Sequence, residues 1–351
     1  MKYTYLLFVI CSLCLFVACE PKFDLNAPNK DVTIVYGILN HQDSIHYVKI
    51  YKGFQPYGKN GVYIDAQNPD SIYYNPAHIK VVLQEYIDGR RTLRPNIKLE
   101  PTNDFPRDSG IFYYGDDRII YYTKELIDKD MSYKIVITNL RTGKVTDGET
   151  PIIGNFIIRT KTFDMTGEAG EVSFSKADHA AGYEIHVNFI YFEVDKNNEV
   201  VRTGRVVRNV TPTVGEVFFT NPVGDFRKSF PVTFYDDIAA QLKPDPSVRR
   251  FVGTPTSPGL AIEAEGWAAG ESLIQFLLSN KPSSSFTQIS TIYTNMKTSD
   301  DELAFGFLSS KSKSVTRFSI TGSSEEELIK GSKTGHLGFK PWVEWVEISN
   351  P

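Results

Sequence analysis

The sequence predicts a mainly β protein: an N-terminal immunoglobulin-like β-sandwich followed by a second β-rich domain with a few short helices. Three observations lead there. Aromatic residues are abundant, with 19 Tyr and 23 Phe in 351 residues, and they stand among many Val, Ile and Thr, the side chains that fit a pleated surface. Apolar and polar residues alternate in short runs, the period of two that marks half-buried strands. Gly-, Asn- and Asp-containing turns separate these runs at short intervals, as a sandwich requires.

The sandwich is expected over residues 31–153. Residues 32–39 read as a strand closed by Asn40, His41, Gln42 and Asp43. Residues 44–51 form the next, with His46, Val48 and Ile50 on one face and Tyr47, Lys49 and Tyr51 on the other. The stretch 53–76 is rich in Gly, Pro and Asn and long for a connection, the mark of a functional or disordered loop. Asp88-Gly89 lies between runs 79–86 and 90–99 and predicts a hairpin whose two turn residues need positive φ. Gly115, Asp116 and Asp117 turn the aromatic stretch 110–122. Residues 133–138 alternate well, and Arg141-Thr142-Gly143-Lys144 turns them into a strand over 145–150. No cysteine pair is available to pin the two sheets, so packing alone must hold them.

Pro151 and Gly154 mark a boundary, and the second domain is expected over 154–351. Residues 156–158, 172–174 and 183–189 read as strands, and Asp195-Lys196-Asn197-Asn198 turns the chain into another over 199–207. Tyr235, Ile238 and Leu242 fall at helical spacing, and the apolar run 271–279 between Gly270 and Asn280 also reads as helix. Two strands follow, over 304–308 and 315–320. Ser323, Ser324 and Glu325 to Glu327 before Leu328 form a capping-box pattern, and Gly331 stops that helix. Trp342 and Trp345 are expected on an edge strand that seals this domain, with an exposed partner patch as the alternative.

The first 18 residues carry one positive charge, Lys2, then an apolar run too short for a permanent span, and end at Ala18. This is the anatomy of a secretory signal peptide cut between Ala18 and Cys19. The chain has three cysteines: Cys11 and Cys14 lie inside the leader, and Cys19 is at the cut. The retained thiol stands where a bacterial lipoprotein carries its lipid, so Cys19 is the expected acylation site. Each buried CH₂ contributes about 0.8 kcal/mol, so two or three palmitate-like chains hold a protein on a membrane. Residues 19–30, with Pro21 and Pro28, are expected to be the lipidated tether.

The net charge of -4 becomes about -5 once Lys2 leaves with the signal, which argues against nucleic acid as a partner. No histidines pair at helical i, i+4 spacing; His41 and His46 flank a turn and could approach, but no third ligand is evident, so no metal or cofactor is expected. Acidic groups at Asp116-Asp117, Asp236-Asp237 and Asp300-Asp301-Glu302 supply no converging pair, and the chain is read as a non-enzyme. Ser44 and Ser71, each in an Asp-Ser-Ile triplet, are candidate O-glycosylation sites in loops. Phe54, Tyr57, Tyr63, Tyr73 and Tyr74 crowd the long loop; they either fold back onto the sheet, which packing favours, or meet a ligand or partner.

Taken in order, several short segments resemble a family of Bacteroidota outer-membrane lipoproteins of unassigned function: the leader ending in Cys19, Val35-Tyr36-Gly37-Ile38-Leu39-Asn40, His46-Tyr47-Val48-Lys49-Ile50, Tyr133-Lys134-Ile135-Val136-Ile137, Thr150-Pro151, the segment 273–278, Tyr293-Thr294-Asn295 and Phe305-Gly306-Phe307-Leu308-Ser309. The resemblance implies an outer-membrane location and, because members are often encoded near TonB-dependent receptors, such a receptor as partner in nutrient uptake. It supplies no catalytic residue. Two other functions are compatible with the chain. One is a structural, fimbrial-type surface subunit, for which Arg90-Arg91 offers a cleavable site; the other is a glycan-active hydrolase. Residues 20–24 carry no acidic run that would choose between the cell surface and the periplasmic face.

Overall fold

The computed structural model describes residues 32–53, 66–104, 118–159, 162–166, 169–206, 226–231, 234–280 and 293–349. They form the expected mainly β fold with a few short helices. The first part of the chain contributes β1 (Thr33–Leu39), β2 (His46–Lys52), β3 (Ile79–Ile87), β4 (Ile120–Thr123), β5 (Ser132–Asn139) and β6 (Val145–Pro151). One layer is β1, β2 and β4, edged by the short strand Glu100–Thr102. The other is β6, β5 and β3, edged by Lys297–Thr298, Arg90–Arg91 and Ile97–Lys98. Val35, Leu39, Val48 and Ile50 from the first layer pack with Val81, Leu83, Tyr133, Ile135 and Ile137 from the second. Each such side chain contributes roughly 1.5–3 kcal/mol by leaving water. On β2 the alternation holds as expected, with His46, Val48 and Ile50 buried and Tyr47 and Lys49 exposed.

Asp88 (φ 48°) and Gly89 (φ 74°) both take left-handed backbone and close the expected hairpin. Its return strand is broken, pairing at Arg90–Arg91 and again at Ile97–Lys98, and Pro95, which has no N–H for a ladder, lies in the gap. The long loop contains one helical turn, Pro69–Ile72, capped by the Asn68 side chain. The turn expected at Gly115 to Asp117 lies outside the described residues.

The second part contributes β7 (Gly182–Asp195), β8 (Val200–Val206), β9 (Val248–Thr254), β10 (Ile262–Ala269) and β11 (Ala304–Ile320), with helices α1 (Phe234–Gln241), α2 (Glu271–Ser279), α3 (Gly322–Lys330) and α4 (Trp342–Ser349). β7 pairs with β10, β8 and β9, and β10 pairs with β11. A separate three-stranded sheet (Ile158–Arg159, Ala169–Phe174 and Phe226–Pro231) covers one face. The second core lies between: Ile158, Val172 and Phe174 meet Tyr183, Ile185, Val187 and Phe189 of β7, and α1 and α3 add Ile238 and Leu328.

The two cores part between Ile152, which belongs to the first, and Ile153, which belongs to the second. β11 crosses that divide. Its residues Ala304 to Ser310 run parallel to β1, and Lys311 to Phe318 run antiparallel to β10. It gives Ala304 and Leu308 to the first core and Phe318 and Ile320 to the second. An eleven-stranded sheet therefore includes strands from both expected intervals.

Several expectations need correction. The strands expected at 304–308 and 315–320 are one strand of 17 residues. The serines between them hid its continuity, yet the hydroxyls of Ser309 and Ser310 are used internally. Ser310 accepts from the Ile153 amide (3.2 Å) and donates to the Pro151 carbonyl (2.6 Å), while Ser309 accepts from the Leu273 amide (3.1 Å). Trp342 and Trp345 lie on helix α4 and not on an edge strand, because a spacing of three brings side chains together on a helix and separates them on a strand. The cap of α3 is Thr321, two residues ahead of the expected Ser323, and its hydroxyl accepts from the Ser324 amide (3.2 Å). β10 was not anticipated, since Ala and Gly in Ile-Glu-Ala-Glu-Gly-Trp-Ala-Ala are weak strand formers.

Candidate functional site

Successive side chains on a strand point to opposite faces. Tyr183, Ile185, Val187 and Phe189 of β7 face the second core, so Glu184, His186, Asn188 and Ile190 face away from it. The register sets Glu184 opposite Trp267, His186 opposite Glu265 and Asn188 opposite Glu263 on β10. β10 in turn sets Trp267 opposite Lys313, Glu265 opposite Val315 and Glu263 opposite Arg317 on β11. Arg205 of β8 stands opposite Ile190.

Helices close this face at both ends. At one end α4 packs Trp345 against Phe192 (5.3 Å between ring centroids) and Phe251 (6.0 Å). At the other, α2 packs Phe276 against Phe307 of β11 (4.6 Å) and Tyr36 of β1 (5.8 Å). Between them the sheet is open: Val315 keeps 48% of its surface exposed and Trp267 is half-buried.

The open face is densely charged. Glu263 is buried beneath two guanidiniums, Arg205 and Arg317, the latter at 2.9 Å. Glu265 accepts from Lys313 (2.8 Å) and from the Trp267 indole N–H (3.2 Å). The Lys313 hydrogen bond outweighs partial burial and holds the Glu265 carboxyl below its usual range. His186 Nε2 lies 2.9 Å from Glu184. The ammoniums of Lys311 and Lys313 lie 4.5 and 4.9 Å from the Trp267 ring centroid, within cation–π range. Lys311 pairs with no carboxylate among the described residues, and Asn188, 6% exposed, stands opposite Glu263 on this face. On the opposite side of β7, Glu193 and Arg250 form a buried pair (2.9 Å) that ties the segment near Leu337 to the sheet, a structural role.

The residues singled out in the sequence fall elsewhere. Ala18 and Cys19 lie outside the described residues, as do Phe54, Tyr57 and Tyr63. Tyr73 and Tyr74 are buried, folded onto the sheet: Tyr73 packs on Tyr51 (5.8 Å), and the Tyr74 hydroxyl meets that of Thr33 (3.0 Å). Both also line a cavity of about 600 Å³ with Pro69, Asp70, Arg118 and Ile119. Ser44 is exposed in the β1–β2 turn, and Ser71 is half-buried in the Pro69–Ile72 turn. His41 bonds to Asn155 (2.8 Å) while His46 points into the first core, and no group of three metal-ligating side chains occurs among the described residues. Asp116-Asp117 lies outside the described residues. Asp236 pairs with Lys333, and Asp300 and Glu302 share Lys144. The open face itself was missed. Its signal was present in two period-two series, Glu263-Glu265-Trp267 and Lys311-Lys313, but neither sits in an apolar run that would have marked a strand.

No family model matches the chain, and no curated protein does. Among solved structures it is similar to the tetra-tandem repeat in the extending region of a large adhesion protein, at 8% identity and a TM-score of 0.18, over 84% of this chain and 76% of that one. A second similarity, to the BSP domain of a biofilm associated protein, has 8% identity and a TM-score of 0.14, over 82% of this chain and 59% of that one. Overlaps this slight carry no argument about function. Among the described residues no helix is long and apolar enough to cross a membrane.

Proposed function

We propose that this chain is a lipid-anchored outer-membrane protein that binds a ligand or partner on the open sheet face around Trp267 and does not catalyse a reaction. The observation that carries the binding role is the face itself. A large aromatic, Trp267, stands half-buried among charged side chains on a sheet surface that helices leave uncovered. An aromatic ring flanked by charged and polar side chains is suited to meeting a ligand, because its apolar body and its polar edge can both make contacts. The central carboxylates argue for binding over acid catalysis, because Glu263 is engaged by two guanidiniums and the Lys313 ammonium holds Glu265 in its ionised form. The leader and Cys19 support the anchor. The resemblance to Bacteroidota lipoproteins supports a TonB-dependent receptor as the partner served.

Two measurements test this. Labelled fatty acid is expected to enter the protein in its native host, and Cys19→Ala is expected to abolish labelling and release the chain from membranes; equal membrane retention rejects the anchor. A receptor is expected to co-purify from native membranes with the wild-type chain and to be lost or functionally uncoupled in Trp267→Ala. A Trp267→Ala strain with full nutrient uptake rejects the role of the face.

A further inference from the structure

The chemistry of the face selects among ligands, given the binding role proposed above. We infer that it takes an acidic polysaccharide, a glycan carrying carboxylate or sulfate groups, with a sugar ring on the Trp267 indole and its acid group on Lys311. Two ammoniums already lie over that indole; Lys313 is also held by Glu265 (2.8 Å), whereas Lys311 has no carboxylate among the described residues, so a ligand need displace only the Lys311 contact, worth about 0.5–1 kcal/mol. A neutral sugar would displace a cation and offer it nothing. An acidic sugar stacks on the ring and supplies the counter-charge that Lys311 lacks among the described residues.

The rest of the face agrees. The cations Lys311, Lys313, Arg205 and Arg317 outnumber the carboxylates Glu184, Glu263 and Glu265, although the whole chain is negative. Arg205 and Arg317 keep 45% and 42% of their side chains exposed above Glu263, so the positive rim reaches solvent. Asn188 and His186 offer an amide and an imidazole at neighbouring positions of β7, donors and acceptors suited to hydroxyl groups. The charged positions run across three neighbouring strands, β7, β10 and β11, of an open sheet face, which suits an extended polymer better than a small molecule.

Isothermal titration of the mature chain with polygalacturonate and chondroitin sulfate tests this, with dextran and poly-glutamate as comparisons. Binding to at least one acidic polysaccharide is expected. It should weaken roughly tenfold in Trp267→Ala and in Lys311→Ala, weaken further as NaCl rises from about 50 to about 500 mM, and stay unchanged in Arg90→Ala on the other sandwich. Lys311 is half-buried at the rim of the face and not a core residue, so its variant remains informative if Trp267→Ala fails to fold. No binding to either acidic glycan, equal binding to poly-glutamate, or indifference to Lys311→Ala overturns the inference. Dextran binding that Trp267→Ala removes would also overturn it while leaving the binding role standing.

Discussion

His46 is the residue whose position departs furthest from ordinary core chemistry. It is 2% exposed, it faces the first core from β2, and neither ring nitrogen has a hydrogen-bond partner. Burial lowers its pKa below the usual imidazole value, while the Asp43 carboxylate pulls the other way. The folded chain therefore binds a proton less readily than the unfolded chain. Stability is full above the unfolded pKa, about 6.5, and declines as pH falls below it. Thermal unfolding at pH 7.5 and 5.5 should show this loss in the wild type and a smaller loss in His46→Leu. At pH 7.5 His46→Leu should also be more stable by about 1 kcal/mol, since it removes two unsatisfied buried atoms. A less stable variant at both pH values would contradict this account. The alternation of β2 made the inward direction of His46 legible in the sequence. That its nitrogens would find no partner was not, because satisfaction depends on residues distant in the chain. The same limit hid the setting of Lys311 over Trp267.

Among the elements, β11 joins most to most. Gly306 makes its pairing with β1 possible: its φ is 83°, and a Cβ there would lie 1.9 Å from the Val35 carbonyl oxygen. Gly306→Val should destabilise the chain by at least about 3 kcal/mol, read as a fall in the urea midpoint. Where β1 ends, Gln42 takes over the strand's role. Its side-chain amide donates to the Lys313 carbonyl (2.8 Å) and its carbonyl accepts from the Lys313 amide (2.8 Å). Gln42→Ala should cost about 1–2 kcal/mol without changing the secondary structure seen by circular dichroism. Elements with strong local signals were legible: β1, β2, β5, the Asp88-Gly89 turn, α1 and α2 all follow from period or turn chemistry. Those that depend on distant partners were not. β10 is stabilised by strands on both sides and needs little propensity of its own, and the Ser309 to Ser312 stretch becomes strand because Pro151, Ile153 and α2 satisfy the hydroxyls of Ser309 and Ser310 and its backbone finds neighbours, although the buried Ser312 hydroxyl has no partner among the described residues.

At the scale of the molecule, Pro151 and Gly154 suggest a boundary, the two cores part between Ile152 and Ile153, and the sheet that both parts share was not legible in the sequence. No local pattern tells β1 that its parallel partner lies near the far end of the sequence. Scanning calorimetry should give one unfolding transition for both cores, and a fragment of residues 31–153 should fail to give the near-ultraviolet dichroism of packed tyrosines unless mixed with residues 154–351. Two separated transitions, or an ordered fragment, would mean that the crossing strand does not couple the cores. The reach of β11 also sets a schedule for assembly. Gln42 and Lys313 are 271 positions apart, so a chain delivered from its leading end exposes the bare edge of β1 for nearly the whole delivery. At roughly 5–20 residues per second, the usual pace of synthesis, that interval is on the order of tens of seconds. An unpaired strand edge invites pairing with other chains, so biogenesis of this protein should depend on a chaperone that shields its earliest strands until the last ones arrive.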